Sequence, residues 1–281
     1  MTELPSNAVP PPAVLDAFGV KGTPVPLVGG QGRSVLVGAS VFKPAEGSED
    51  EVEWAASLFE RLAPSSDFRV PLPLRATDGR SVVDGWTASE FLTGEPGPRG
   101  HWAGVFSAGR AFHRALRQIP RPDFLDRQTH PWAVADRVAW GERDVDVIQD
   151  LSAPFSALLE LRHRVKQDAA QLIHGDLAGN VLFAAGEAPV VIDFSPYWRP
   201  PVFAEAIVVA DGLLWFDLPS GLLTGGSDHP DWQQMLIRAL IFRLVAQSEH
   251  VGPSGRAQPG EQERYVRATD AVVKRLAALQ G

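Results

Sequence analysis

Apolar positions follow two different patterns along this chain. Up to residue 94 they form short runs bounded by glycine or proline, which is typical of strands. These runs lie at 25–28, 35–44, 72–74 and 81–86. From residue 105 onward, apolar residues recur at helical spacing over longer stretches. The pattern therefore predicts an α+β protein with a small antiparallel sheet in its first part and a mainly helical second part.

Helices are predicted where apolar residues return every three or four positions. The segment 48–62 opens with three acidic residues, which suit the positive end of a helix dipole. Proline and glycine mark the connections, including a rigid loop at 195–201 and a linker at 252–260. The other predicted helices lie at 13–18, 105–119, 144–166, 203–215, 232–247 and 261–279.

Polar residues separate three further apolar runs at 171–173, 181–183 and 190–192. His174, Asp176 and Asn180 stand between the first two runs, and Asp193 follows the third. Carboxylate and carbonyl oxygens are ligands that Mg²⁺ takes readily. The same residue types also cap tight turns between strands, so residue types alone leave both interpretations open.

Composition and charge narrow the classes of function. The 281 residues are 44% hydrophobic, enough for one large domain or two modest lobes. The chain has no cysteine, which excludes disulfides, thiolate metal sites and a cysteine nucleophile. Its net charge of −8 argues against nucleic acid as a partner and fits a cationic or neutral small molecule.

Two features bear on the compartment. No apolar run approaches the roughly 20 residues that span a bilayer, so no membrane partner is expected. The first residues, MTELPS, lack the basic and apolar blocks of a signal peptide. We therefore expect a cytoplasmic protein.

The segment 174–180, HGDLAGN, is followed by VIDF at 191–194. Together they resemble the catalytic loop and metal-binding strand of the protein-kinase-like phosphotransferases, in particular the aminoglycoside phosphotransferase branch, which reads H-G-D-x-x-x-x-N and then I-D-[F/W]. The resemblance implies that Asp176 orients the attacking hydroxyl and that His174 braces the loop. It also implies that Asn180 and Asp193 hold Mg²⁺. In this chain the Asn follows the Asp by four positions, one fewer than in the family.

The first part of the chain carries a weaker resemblance to the same family. A glycine-rich hairpin precedes an apolar strand that carries Lys43, in a chain whose other lysines are few. By resemblance, Lys43 and the hairpin contact the phosphates of ATP, because bare backbone N–H groups approach phosphate only where side chains are small. The hairpin residues implied are Gly30, Gly32 and Ser34.

Two more elements of the nucleotide site are implied by the resemblance. A glutamate on the helix 48–62 pairs with Lys43, with Glu53 as first choice and Glu60 as second. Solvated surface acids would look the same in sequence. The run 89–94 takes the place of the hinge between lobes, where the backbone near Glu90, Phe91 and Leu92 meets adenine.

Taken together, these features predict a two-lobed protein-kinase-like fold. Residues 1–94 form the nucleotide-binding lobe, and residues 95–281 form the helical catalytic and substrate lobe. The implied activity is ATP- and Mg²⁺-dependent phosphotransfer to a hydroxyl of a small molecule such as a sugar, an aminoglycoside-like compound or an amine-bearing acceptor. The alternatives are a nucleotide-sensing pseudokinase, which the short loop suggests, and a metal-dependent hydrolase.

Residues of the second part bear on the acceptor. Trp198 and Trp215, with nearby acids, suit a sugar or a cationic ligand through stacking and cation–π contact. We expect Trp198 to face the ligand and Trp215 to lie in the core. We also expect His113 to be a packed helix residue. The nearby acids are interpreted as either ligand contacts or solvated loop residues, and they are Asp211, Asp217, Asp228 and Asp231.

Overall fold

A computed structural model describes residues 9–27, 33–63, 65–166, 169–219, 221–225 and 228–280. The strands are β1 (Val25–Pro26), β2 (Val35–Val37), β3 (Ser40–Pro44), β4 (Pro73–Leu74), β5 (Trp86–Glu90), β6 (Glu95–Pro96), β7 (Gln171–His174), β8 (Val181–Phe183), β9 (Val190–Val191) and β10 (Pro196–Arg199). The helices are α1 (Pro12–Ala17), α2 (Glu49–Leu62), α3 (Trp102–Leu116), α4 (Phe124–Arg127), α5 (Pro131–Trp140), α6 (Ser152–Leu161), α7 (Pro201–Asp211), α8 (Leu222–Gly225), α9 (Trp232–Val251) and α10 (Glu261–Gln280).

The chain divides into two compact units. The first extends to Glu95 and also takes in Leu182–Ile192, and the second consists of Pro96–Val181 and Asp193–Gly281. Backbone hydrogen bonds hold the segment Leu182–Ile192 in the first unit: the Arg69 N–H donates to the Pro189 carbonyl (2.8 Å), and the Val191 N–H donates to the Arg69 carbonyl (2.9 Å). The sequence did not indicate that this segment belongs to the first unit. The predicted assignment of a nucleotide-binding lobe and a catalytic lobe stays a prediction.

The first unit contains the antiparallel sheet that the sequence predicts, with strand order β1-β2-β3-β5-β4. Side chains alternate along β3, so Phe42 is buried while Lys43, on the opposite face, is half-buried. Phe42 packs edge-on against Phe18, which follows α1. Helix α2 begins at the predicted position, where the Ser48 hydroxyl accepts from the Glu51 N–H (3.3 Å).

The second unit is organised around α9. This helix is buried on nearly all sides and packs against α5, α7, α6 and α10. Strand β7 pairs antiparallel with β10, which places His174 opposite Pro196 and Leu172 opposite Trp198. The predicted helices at 203–215, 232–247 and 261–279 are confirmed in outline by α7, α9 and α10.

Four predictions of local structure were wrong. The segment 35–44, predicted as one strand, is divided by a turn at Gly38, where φ is +59°, into β2 and β3. The segment 81–86 is mostly a turn, since Asp84 and Gly85 have φ of +48° and +78°, and the strand begins only at Trp86. The segment 195–201 is not a loop but contains β10. This strand begins at Pro196, and proline is tolerated at the first residue of a strand. The stretch 144–166 contains a 3₁₀ turn at Gln149–Leu151 and the shorter α6 rather than one helix.

Within the described ranges, no helix combines the length and the hydrophobicity needed to cross a bilayer.

Candidate active site

The loop after β7 carries His174, Asp176 and Asn180 in the second unit. The Asn180 N–H donates to the Leu177 carbonyl (3.1 Å). Gly179 has φ of +86°, in the left-handed region that favours glycine. The loop therefore closes as a tight turn, and this turn accommodates the spacing of four between the aspartate and the asparagine.

The buried ring of His174 links this loop to the segment before β10. Its Nδ1 accepts from the backbone N–H groups of Asp176 (3.2 Å) and Ser195 (3.3 Å). Because both partners are donors, the neutral ring carries its proton on Nε2. The ring also makes edge contacts with Phe112 and Phe194. These contacts fit a bracing role and give His174 no approach to solvent, since the residue is fully buried.

The positions of His113 and Gly175 show why a histidine and a glycine lie next to the His174 ring. Behind it, His113 is a packed helix residue, as predicted, and its Nε2 accepts from the His174 backbone N–H (3.1 Å). Burial, with a smaller contribution from His174, lowers the pKa of His113 to about 3, so His113 is neutral. Ahead of it, a side chain at Gly175 would collide with the ring of Tyr197. Only glycine fits between β7 and β10 at that point.

Asp176 is held by an arginine that the sequence analysis did not identify. Its Oδ1 accepts from Nη2 of Arg243 on α9 (2.6 Å). The same guanidinium donates twice to Asp211 at the end of α7, from Nε to Oδ1 and from Nη2 to Oδ2 (both 2.6 Å). The side chains of Arg243 and Asp211 are 4% and 2% exposed, whereas that of Asp176 is 41% exposed. Asp176 is thus the solvent-facing end of a buried ion cluster.

The charges of this cluster depend on one another. The carboxylates of Asp211 and Asp176 raise the pKa of Arg243 against the opposing effect of burial, so the guanidinium stays protonated. Burial raises the pKa of Asp211 to about 6, although Arg243 opposes that shift. At neutral pH the cluster is therefore one buried cation between two carboxylates.

Aromatic rings surround the Arg243 guanidinium. Its central carbon lies 5.3 Å from the ring centre of Phe242, 5.5 Å from Trp132 and 5.9 Å from Trp215. Trp215 belongs to a π-helical turn at Gly212–Phe216 and is 38% exposed, so the prediction that it lies in the core was wrong. The interpretation of Asp211 as a solvated loop acid was also wrong, because Asp211 ends a buried helix.

Asp193 is exposed and has φ of +49°, which is uncommon for a residue other than glycine. Such strained positions cluster at functional sites. Two residues further on, the backbone of Ser195 bonds to the ring of His174 and to the N–H of Gly175 (2.9 Å). The second unit therefore ties the chain just after Asp193 to the base of the Asp176 loop.

The oxygen donors of this region suit a hard cation. Among the residues that the structure describes, no three His, Asp or Glu side chains cluster closely enough to hold a metal ion by themselves. Mg²⁺ commonly takes only one or two protein ligands and completes its shell with water and phosphate oxygens. The Asn180 Nδ2 donates to the Asp176 carbonyl (2.7 Å) and to Asp176 Oδ2 (3.1 Å), which leaves the Asn180 amide oxygen as its possible donor.

In the first unit, both candidate helix glutamates bind an arginine. Arg75 donates from Nη1 to Glu53 and from Nε to Glu60 (both 2.7 Å). The Ser81 hydroxyl also donates to Glu53 (2.7 Å), and this bond, followed by that from Arg75, lowers the pKa of Glu53. The contacts of both carboxylates with Arg75 are thus established, while a pairing of either with Lys43 stays a prediction.

The other predicted nucleotide contacts are local features of the first unit. Gly30 and Gly32 lie outside the described residues. The Ser34 carbonyl accepts from the Leu27 N–H (2.9 Å) and closes the hairpin of β1 and β2. In the predicted hinge, the N–H groups of Glu90 and Phe91 already donate to Leu72 and Ala39 (2.8 and 3.0 Å).

The sequence around Arg243 and Asp211 contains a pattern that indicates a buried ion pair. Each is a charged residue inside a long apolar run, LIFRLV at 240–245 and VVADGLL at 208–214. Charged side chains are almost never fully buried unless they are paired. Two such residues of opposite charge on neighbouring predicted helices are therefore expected to form a pair.

The mixed fold, with its antiparallel sheet and mainly helical second unit, is that of the protein-kinase-like phosphotransferases. The model of the phosphotransferase enzyme family, APH, matches residues 28–217, which is more than half of the chain. The chain therefore belongs to the phosphotransferase enzyme family. Among curated proteins, none matches it.

Solved structures with the same fold are distant in sequence. Aminoglycoside phosphotransferase from Alicyclobacillus acidocaldarius subsp. acidocaldarius is 14% identical with a TM-score of 0.64, over 99% of this chain and 97% of that chain. Amicoumacin kinase hAmiN, in complex with AMP-PNP, Ca²⁺ and Ami, is 14% identical with a TM-score of 0.60, over 94% of this chain and 92% of that chain. Spectinomycin phosphotransferase APH(9)-Ia, in complex with ADP and spectinomycin, is 13% identical with a TM-score of 0.54, over 85% of this chain and 87% of that chain.

Proposed function

We propose that this protein transfers the γ-phosphoryl group of ATP to a hydroxyl of a small molecule. The acceptor oxygen forms a bond to the γ-phosphorus, the bond from that phosphorus to the bridging oxygen breaks, and ADP leaves. The acceptor proton passes to Asp176. The observation that carries this proposal is the half-exposed Asp176 carboxylate, fixed on one oxygen by Arg243 in a chain of the phosphotransferase family.

The other residues of the second unit have supporting roles in this proposal. Asp193 and the amide oxygen of Asn180 would hold Mg²⁺, which supplies charge neutralisation for the phosphate oxygens when bound. His174 holds the loop in place through its two backbone contacts. The exposed carboxylate of Asp193 and its strained backbone support this assignment.

On the first unit, Lys43 and the hairpin residues Gly30, Gly32 and Ser34 are proposed to contact the ATP phosphates. The lysine lies on the face of β3 opposite the core residue Phe42, which supports a polar role. For adenine we favour the backbone of Leu92, because the N–H groups of Glu90 and Phe91 donate to the carbonyls of Leu72 and Ala39.

The acceptor is proposed to be a sugar or an amine-bearing ring compound. Trp215 supports this assignment, because its partly exposed ring lies 5.9 Å from the guanidinium that also binds Asp176. Aromatic rings stack on sugars and attract cations. The net charge of −8 favours a cationic or neutral acceptor over an anionic one.

Thermal unfolding with and without nucleotide tests the proposal. A ligand at 100 times its Kd stabilises the native state by about 2.7 kcal/mol, so saturating ATP should raise the Tm visibly. We expect the rise to require Mg²⁺ and to be lost in Asp193→Ala. Asp84→Ala is the matched control, because Asp84 is also an exposed aspartate with positive φ. No Tm rise in the wild type would contradict the nucleotide site.

The pseudokinase alternative has a specific observation in its favour. The Asn180 amide group folds back on Asp176, so one proposed metal ligand is partly engaged by the proposed base. A Mg²⁺-dependent Tm rise without phosphotransfer to any hydroxyl acceptor would favour this alternative. Turnover of a substrate without nucleotide, unchanged in Lys43→Ala, would instead indicate a metal-dependent hydrolase.

A further inference from the structure

The second unit contains two buried arginines that each hold a buried and a half-exposed acid. Arg199 on β10 binds the buried Asp136 and the 43% exposed Glu142. Arg243 on α9 binds the buried Asp211 and the 41% exposed Asp176. Each guanidinium also lies on a tryptophan ring, Trp140 for Arg199 at 4.8 Å. The two clusters are close structural counterparts.

The clusters differ in how the half-exposed acid is bound. Glu142 gives both oxygens to Arg199, with Nη1 to Oε1 at 2.7 Å and Nη2 to Oε2 at 2.8 Å. Asp176 gives only Oδ1 to Arg243. Among the described residues, its Oδ2 accepts only from the Asn180 amide, at 3.1 Å. A carboxylate oxygen has room for a second donor, so Oδ2 can still receive a hydroxyl.

Arg243 itself has little freedom to move. Asp211 takes Nε and Nη2 of the guanidinium, three rings pack around it, and the Tyr265 hydroxyl donates to the Arg243 backbone carbonyl (3.0 Å). The guanidinium that binds Asp176 Oδ1 therefore has a fixed position. A carboxylate fixed at one oxygen loses most of its rotational freedom, and the orientation of the other oxygen is set.

We infer that Arg243, locked by Asp211, is a positioning residue that fixes Asp176 Oδ1 so that Oδ2 faces the acceptor hydroxyl. This inference rests on the proposed function. Arg243 does not touch the reacting atoms. Its contribution is orientation, and a misplacement of a reacting group by about 1 Å costs on the order of 100-fold in rate.

The experiment compares Arg243→Lys with Arg199→Lys in full-length protein. Lysine keeps the charge but cannot donate to both Asp211 and Asp176 in the geometry of the planar fork. We expect Arg243→Lys to lower kcat about 100-fold while the KM values for acceptor and ATP change less than about threefold. Arg199→Lys should leave kcat within about threefold of the wild type. The Tm rise with Mg·ATP should persist in both variants.

A second variant guards against loss of the fold in Arg243→Lys. Asp211→Asn keeps the shape of the side chain and one of the two oxygens that accept from Arg243. Asp136→Asn is its counterpart in the Arg199 cluster. We expect Asp211→Asn to lower kcat about tenfold, and Asp136→Asn to leave kcat near that of the wild type.

The outcomes separate the inference from the proposed function. If the wild type phosphorylates an acceptor and the Arg243 and Asp211 variants lose no more kcat than their counterparts, the inference is overturned and the function stands. A loss confined to KM would also overturn it, because positioning of the base acts on the chemical step. A wild type without phosphotransfer would overturn the proposed function and the positioning role with it.

Discussion

Arg75 in the first unit and Arg243 in the second each join two carboxylates, but their surroundings differ. Arg75 is 32% exposed and its partners Glu53 and Glu60 are 48% and 42% exposed. Arg243 is 4% exposed and its partner Asp211 is 2% exposed. Water competes with the first set of ion pairs and is excluded from the second. The same residue types therefore make a weak surface network in one unit and a rigid cluster in the other.

The largest difference should appear in stability when each arginine is removed. Arg243→Met leaves Asp211 buried without its cation, and breaking a buried pair in this way costs about 3 to 5 kcal/mol. We expect the free energy of unfolding to fall by that amount in denaturant titrations monitored by circular dichroism. A loss below about 1 kcal/mol would mean that the cluster is not tightly packed in solution.

The exposed end of the buried cluster should matter for activity rather than stability. Asp176→Asn removes the proton acceptor but keeps the shape of the side chain, and general base catalysis contributes up to about 10⁴-fold. We expect kcat to fall about 10³-fold with little change in Tm. Glu142→Gln is the control, because Glu142 is an equally exposed acid on the other buried arginine. Equal kcat values for Asp176→Asn and the wild type would remove Asp176 from the reaction.

Burial in the second unit should also make stability depend on pH through His113. The pKa of His113 is lowered to about 3 in the folded protein, against about 6.5 in the unfolded chain. The unfolded state therefore binds the proton first, and stability present above pH 6.5 is lost as the pH falls toward 3. At pH 5.5 the loss amounts to about 1.4 kcal/mol.

His113→Gln tests this assignment, because glutamine can still accept from the His174 N–H but does not titrate. The variant should show a shallower loss of unfolding free energy between pH 7 and pH 5 than the wild type. Parallel curves would show that other groups cause the acid sensitivity.

The smallest effect is expected for the exposed network. Arg75→Met removes two ion pairs that are partly solvated, and such pairs contribute about 0 to 1 kcal/mol. We expect a change in unfolding free energy below about 1 kcal/mol, and we expect added salt to reduce it further. A loss as large as that of Arg243→Met would end the distinction between the two regions.

Much of the candidate site is local in sequence, so its residues could be proposed from the sequence alone. His174, Asp176 and Asn180 lie within one short loop, and the strand that precedes Asp193 follows closely. Helix α2 was also predicted at its observed position, because helical spacing of apolar residues and an acidic first turn are local signals.

The errors fall where a segment depends on distant partners. Segment 195–201 looked like a loop from its prolines, yet it forms β10 because β7 is available to pair with it. Trp215 looked like a core residue, yet a π-helical turn leaves it partly exposed. The contacts of Glu53 and Glu60 with Arg75 were not predicted, because they depend on a residue outside their own helix.

The sequence by itself determined the α+β class, the order of the main elements and the loop that carries Asp176. Local spacing and side-chain chemistry are sufficient for these features. Only the tertiary structure decided that Arg243 and Asp211 hold Asp176, because Asp211 and Asp176 are 32 and 67 positions from Arg243 along the chain. Their contact arises from the packing of α7 and α9 beneath the loop, and the exclusion of water there gives the ion pairs their rigidity.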